Sequence, residues 1–487
     1  MTDININYKK DIVQKLYKGW WFRFSSLFFT RLLSILRVII FARLFLPEYI
    51  GLANLTVTCL GFLSIFGNFG FSQFIIKEKD ISQKSSDTVF TISFFISICL
   101  LLICFISAPL FSCFFTNNLN LYIYFLAIIL LEIPLKLPSV FWEKKLKFGY
   151  STLIPLITEF FTILTTILAE LLFHLNVFSL LIGTVSGLGF SIIYIWLFAI
   201  YRPKFNLDKI TSSKLFSFGT PVMVQGFNGY AMSKGDNLMV AKFWGNTQLA
   251  YYNFAWQMPL LISAFVQTID GMLLPVYSKF NENLNDLRRL FNLHNKIWSI
   301  FGSFFGMFLI LYADIIVLTI YGEKWIEVVP ILRIMAISFV IRFCTGYGYD
   351  HLVIIKNRTS YMMKWGFVNT VLVFTLGLFL IKILGPIGGA WFWVIQCITL
   401  IPLMRFTLIY SELKSLNFLN YIWQPVLCCV ISLISGFLSL KYLTLLHPLN
   451  IVFSMLLYIL TYILLLFIID KQLLNDIKKI IKLIKSI

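Results

Sequence analysis

Long apolar runs constrain this chain more than any other feature. Fourteen of them, from Gly19–Leu46 to Leu449–Ile469, are bounded by clusters of charge, Pro, Gly and Asn. Each is long enough to cross a bilayer core as a helix, which takes about 20 residues. Inside lipid the helix satisfies every backbone polar group within one segment, so runs of this length predict helices. With 59% of residues hydrophobic and 13% charged, the chain cannot be a soluble globular protein, in which about a quarter of residues are charged. Fourteen spans use roughly 280 residues at that length, which leaves no room for a folded soluble domain. The first run exceeds a secretory apolar region, lacks a small-residue cleavage site and carries arginines, so it is expected to be a retained helix. All eight cysteines lie inside apolar runs and read as small buried hydrophobes, not as a disulfide framework or a metal site.

The formal net charge of +18 is a matter of topology. Segments on the side of the N-terminus hold 28 Lys and Arg, and the opposite loops hold only 5: Arg43, Lys242, Lys324, Lys382 and Lys441. Because basic residues in short loops stay in the cytoplasm, both termini are expected there. One helix more or fewer would scramble the alternation, and no nucleic-acid role is needed. The tail 471–487 spaces Leu473, Leu474, Ile477, Ile480, Ile481 and Ile484 as one helix face among lysines, the pattern of an interfacial helix on membrane lipid.

An internal repeat is visible at an offset of 199. Ala42-Arg43-Leu44-Phe45 aligns with Ala241-Lys242-Phe243-Trp244, and Ile50-Gly51-Leu52 with Leu249-Ala250-Tyr251. Both copies start on the cytoplasmic side, as in duplicated transporters whose halves are related by an axis along the membrane normal. The expected fold is an all-α membrane protein with 14 transmembrane helices, two six-helix lobes related by a pseudo-twofold axis and two further C-terminal helices. The corresponding segments are 1–18, an N-lobe at 19–200, a basic linker at 201–214, a C-lobe at 215–410, the last two spans at 411–470 and the tail.

Charges at membrane depth are costly and are usually kept for a water-filled pathway. On the first span, Arg23, Ser26, Thr30, Arg31, Ser34 and Arg37 fall within about 140° of one another, a polar stripe that lipid cannot face. Arg23 is near enough to the end to snorkel. Thr30, Arg31, Ser34 and Arg37 are expected to line a cavity. On the seventh span Gln225, Asn228, Met232 and Asp236 share a face, and the repeat pairs Asp236 with Arg37; the alternative partner is Lys234, which would neutralise Asp236 in a structural pair. Arg342, near the middle of the tenth span, joins the cavity residues. Glu159 and Asp270 read as lone acids near mid-span that would bind a coupling ion or proton, or else serve as structural hydrogen-bond partners. His174, His294, His351 and His447 stand singly in loops or near helix ends, so neither catalysis nor a metal is indicated, and no cofactor is expected. The absence of a P-loop excludes an ATP-driven pump as a single chain.

Five stretches, Ala42–Leu55, Phe66–Ser82, Phe218–Phe227, Gly235–Gly245 and Tyr321–Ile337, taken in order, resemble the polysaccharide exporter family of the multidrug/oligosaccharidyl-lipid/polysaccharide flippase superfamily, in particular the branch of the colanic acid exporter. The resemblance covers the first ten spans, and the last four match only in hydropathy. Where that family often has an acid before Gly in the second helix, this chain has Asn68. The resemblance implies a flippase that carries an undecaprenyl-diphosphate-linked oligosaccharide repeat unit to the periplasmic leaflet of the bacterial inner membrane by alternating access. A polysaccharide polymerase and a chain-length regulator are the protein partners it suggests. Arg31, Arg37 and Arg342 would then be forked partners of the diphosphate. Trp20, Trp21, Trp244 and Trp256 would stack on sugars or anchor span ends. Two alternatives stand beside this reading. A multidrug or other lipid-linked precursor exporter of the superfamily would want acids in its cavity, and a membrane-embedded polymerase or ligase would need a large external loop.

Overall fold

The computed structural model describes Phe22 and residues 25–78, 82–116, 118–271, 273–442 and 447–470. Arg23, the N-terminal segment and the amphipathic tail lie outside them. Among the described residues there is no strand. The helices, in order, are α1 (25–44), α2 (Pro47–Gly67), α3 (Phe71–Lys77), α4 (Gln83–Phe114), α5 (Leu119–Leu126), α6 (Glu132–Lys144), α7 (Phe148–Phe173), α8 (Val177–Leu197), α9 (Lys209–Asp270), α10 (Leu274–Lys279), α11 (Leu284–Ile316), α12 (Val328–Cys344), α13 (Tyr349–Ile355), α14 (Thr359–Leu372), α15 (Leu378–Leu384), α16 (Pro386–Ile398), α17 (Leu400–Leu413), α18 (Trp423–Tyr442) and α19 (His447–Ile469). Ten spans among the described residues are long and apolar enough to cross a membrane, or eleven if α12 and α13, bent by 45° at their junction, form one broken span. The chain is a multi-pass membrane protein.

Among the described residues the apolar runs fall largely in helix, and several of the breaks have local causes. Pro47 occupies the first turn of α2, where its missing N–H costs nothing. Ser82 caps α4 by accepting from the Ser85 N–H, and Asn283 caps α11 by accepting from Asn285 and Asp286. The seventh and eighth runs form the 62-residue α9, which breaks at Gly245, where φ is 82° and ψ 179°. Only glycine reaches that region without strain.

The described chain forms two compact units, Met1–Ala250 and Tyr251–Ile487. In the first, α7 packs on α8 through Gly183 and Gly187, where an added Cβ would meet Thr166 and Thr162 hydroxyls at 1.8 and 2.1 Å. Such spacing lets membrane helices approach backbone to backbone. The segment 201–208 is tied onto the start of α4. The Tyr201 hydroxyl donates to Asp87 at 2.5 Å, and the backbone N–H groups of Lys204, Asn206 and Asp208 donate to Asp87, Thr91 and Thr88. Asp208 then caps α9, accepting from the Thr211 N–H at 2.9 Å and its hydroxyl at 2.7 Å. These bonds, with Lys84 nearby, hold its carboxyl below the usual carboxylate range.

In the second unit α11 packs on α12 with Gly302 and Gly306 against Phe343 and Val340. The hairpin α18–α19 is fastened along α11 as well. Tyr312 bonds Ser454 at 2.8 Å, the Tyr458 and Tyr462 hydroxyls donate to the Phe304 and Ile300 carbonyls, and Lys296 meets Asp470 at 2.6 Å with both side chains buried. Lys296 and Arg405, which the sequence presents as cytoplasmic loop bases, are therefore inside the packing. Arg405 donates to the carbonyls of Arg342 and Thr345 at 3.1 and 3.3 Å.

Candidate functional site

In the first unit the polar stripe of α1 is met by α7. Ser26 donates to the Thr152 carbonyl, and Arg37 Nε lies 3.4 Å from Glu159 Oε2, with side-chain exposures of 36% and 17%. Glu159 is thus not a lone acid: it shares a half-buried ion pair with a residue expected to serve the cavity. The sequence concealed this because the partners sit on helices far apart in the chain. Arg31 is exposed on the same helix, and Ser34 spends its hydroxyl on the Thr30 carbonyl at 2.9 Å.

A second polar feature of this unit is a cavity of about 500 Å³ between α2, α3 and the first arm of α9. Ser64, Asn68, Gln73, Gln225, Tyr230 and Ser233 supply its polar wall. Gln225 is the one residue of the expected α9 face that lines it. Asn228 is half-buried, and Asp236 is buried with its Oδ1 accepting from the Asn237 N–H at 2.8 Å. Asn68, standing where an acid was expected from the resemblance, makes the wall neutral at that point.

The first turns of α2 touch the break of α9 directly. A Cβ on Gly51 would lie 1.8 Å from the Asn246 carbonyl oxygen. The gap after α1, at Leu46, falls 199 residues before Gly245, and residues 49–56 and 248–255 run through the same order of buried and half-buried positions.

In the second unit Arg342 is exposed in the last turn of α12, at the break of that span. Asp270, the last residue of α9, is not lone either. His294 on α11 approaches its Oδ1 at 2.7 Å, Trp298 donates to the same oxygen at 3.2 Å, and His351 on α13 lies 3.1 Å from Oδ2. The reading of the histidines as isolated is corrected here: His294 and His351 are buried, their rings stacked 5.6 Å apart. Spacing along the chain hid the cluster because three separate helices build it. A partial signal existed, since Leu287, Leu290, Phe291, His294 and Trp298 recur at helical spacing and place His294 on the buried face of α11.

The family model described as "Polysaccharide biosynthesis protein" matches residues 40–330, more than half of the chain. The chain belongs to this polysaccharide biosynthesis family. The matched region covers most of the five stretches in which the resemblance is visible. Among relatives of the chain, the teichuronic acid biosynthesis protein TuaB of Bacillus subtilis is 22% identical over 75% of this chain and 77% of its own length. The lipopolysaccharide biosynthesis protein WzxC of Escherichia coli is 21% identical over 70% of each. Among solved structures, the lipid II flippase MurJ in an inward closed conformation superposes with a TM-score of 0.75 at 18% identity, over 93% of this chain and 99% of its own. An inward-facing multidrug transporter of the MATE family gives 0.62 at 14% identity, over 82% and 99%. The fold is therefore that of MurJ and MATE proteins, which are transporters and not enzymes.

Proposed function

We propose that this protein is a flippase for an undecaprenyl-diphosphate-linked oligosaccharide repeat unit, serving O-antigen, capsule or exopolysaccharide synthesis. One observation carries the reading: a chain of the polysaccharide biosynthesis family has the fold of a lipid II flippase over 93% of its length. It works from the bacterial inner membrane with both termini in the cytoplasm, through fourteen helices arranged as two six-helix lobes, 19–200 and 215–410, followed by 411–470. Supporting the duplicated arrangement are the matching burial of residues 49–56 and 248–255 and the matching helix breaks.

The substrate is an anionic diphosphate on a long lipid, so its path needs cations inside the membrane. Insertion of an arginine at mid-membrane costs about 2.5–3.5 kcal/mol, and such residues persist where they line an aqueous path or find a partner. Arg31, exposed on its helix, and Arg37, held by Glu159, are the groups we assign to the diphosphate. Thr30, Ser34, Gln225 and Asn228 supply polar contacts along the same path. Alternating access follows if Glu159 releases Arg37 when the phosphate arrives, because the arginine fork then exchanges a carboxylate for a phosphate. The test is depletion of the protein in its own cell. Lipid-linked repeat units should accumulate in the inner leaflet while polymer is lost, and unchanged leaflet distribution with normal polymer would overturn the reading.

A further inference from the structure

We propose that Asp270, His294 and His351 form a binding site for one divalent metal ion of the zinc type. One ligand atom from each residue lies within 4.8 Å of the others. Two imidazoles and a carboxylate are a donor set that suits zinc and its first-row neighbours, with at least one coordination position left for water or an anion. The side chains of His294 and His351 are 1% and 7% exposed and that of Asp270 is 15% exposed, so the open position lies on the aspartate side.

Two further features point to an ion at this place. His351 Nε2 is buried with no hydrogen-bond partner, although it stands 3.1 Å from Asp270 Oδ2: the contact is close, but it lacks hydrogen-bond geometry. A metal between ring and carboxylate gives that nitrogen the partner it lacks and removes the cost of leaving it unsatisfied. The second feature is outer support. Tyr277 on α10 stands 2.7 Å from His294 Nδ1. When Nε2 binds a metal, the Nδ1–H donates to the tyrosine oxygen, which fixes the tautomer and the ring plane. Tyr277 is itself held in an apolar cluster with Leu273, Phe291, Leu352 and Phe418. Gly348 leaves the space: a Cβ there would lie 2.8 Å from His294 Nδ1 and 2.6 Å from the Tyr277 hydroxyl. The ion would join the end of α9 to α11 and α13. This inference stands independently of the flippase reading.

The full-length chain, purified in detergent and stripped with a chelator, should be titrated with Co²⁺ and then with Zn²⁺. One Co²⁺ per chain should bind with visible absorption bands of a low-coordinate nitrogen and oxygen site, and Zn²⁺ should displace it. His294→Ala and His351→Ala should each lose the bands. As a control against loss of folding in these variants, Tyr277→Phe, which keeps both rings, should be measured as well; it should weaken Zn²⁺ binding about 10-fold. Zn²⁺ should also raise the melting temperature of the wild type. Absence of stoichiometric binding by the wild type, unaltered binding by either folded histidine variant, or unaltered affinity of Tyr277→Phe would overturn the proposal.

Discussion

Arg37 on α1 and Glu159 on α7 meet at 3.4 Å, so a cation and an acid that look unrelated in the chain form one unit at membrane depth. The pair is only half buried, which leaves the guanidinium within reach of a competing anion. Arg37→Lys keeps the charge and loses the planar fork. Protein abundance in the membrane should stay at the wild-type level while export of lipid-linked oligosaccharide falls several-fold. Glu159→Gln should also leave abundance intact, and the double variant should be no worse than Arg37→Lys alone. Polymer yield normalised to membrane abundance measures all three; additive losses would mean that the residues act separately.

Gly51 packs against the backbone carbonyl of Asn246, and a side chain there has no flexible neighbour to push aside. Overpacking of this kind costs about 1–3 kcal/mol. Gly51→Val should lower the melting temperature in detergent, and no substitution of the Asn246 side chain should restore it.

At Gly245 the backbone lies where only glycine is unstrained. Gly245→Ala should cost about 1–3 kcal/mol, read as a lower melting temperature, whereas Gly229→Ala, inside helical backbone with open space at the Cβ, should be neutral or stabilising.

Lys296 and Asp470 form a buried pair at 2.6 Å. Breaking such a pair from one side costs about 3–5 kcal/mol, while replacing both partners with apolar residues is often neutral. Lys296→Met should therefore reduce the amount of folded protein sharply, and Lys296→Met with Asp470→Leu should recover most of it, as measured by fluorescence-detected size exclusion.

Asp208 caps α9 with a carboxyl held below its ordinary range. A carboxylate with a lowered folded value stabilises above its unfolded value and loses that contribution as pH falls through the folded value. Amide protection factors at 209–212 should fall as the pH drops below the usual carboxylate range. Asp208→Asn should show low protection throughout and little pH dependence.

Much of the helical layout was legible because hydropathy and span length are local properties: among the described residues the apolar runs fall largely in helix, and ten or eleven spans are long and apolar enough to cross a membrane. The sites were less legible. Gln225 and Arg37 could be placed on helix faces by periodicity, but periodicity does not say which neighbour a face meets. Glu159, His294 and His351 acquire their partners from helices remote in the chain, and Arg405 is buried by carbonyl acceptors that no sequence pattern announces. The linker 201–208 reads as loop, yet Asp87, Thr88 and Thr91 recur at the spacing of one helix face and receive it.

The fastening of α18–α19 along α11 bears on how such a chain can change over generations. Deleting the hairpin would take Asp470 from Lys296 and Ser454 from Tyr312 and bare that side of α11, so its loss in one step would be costly. The α11 surface would first have to be rewritten residue by residue, while the hairpin was still present to hide the intermediates. The last two helices are thus held in the lineage by a ratchet, and a shorter descendant should betray itself by an apolar residue at the position of Lys296.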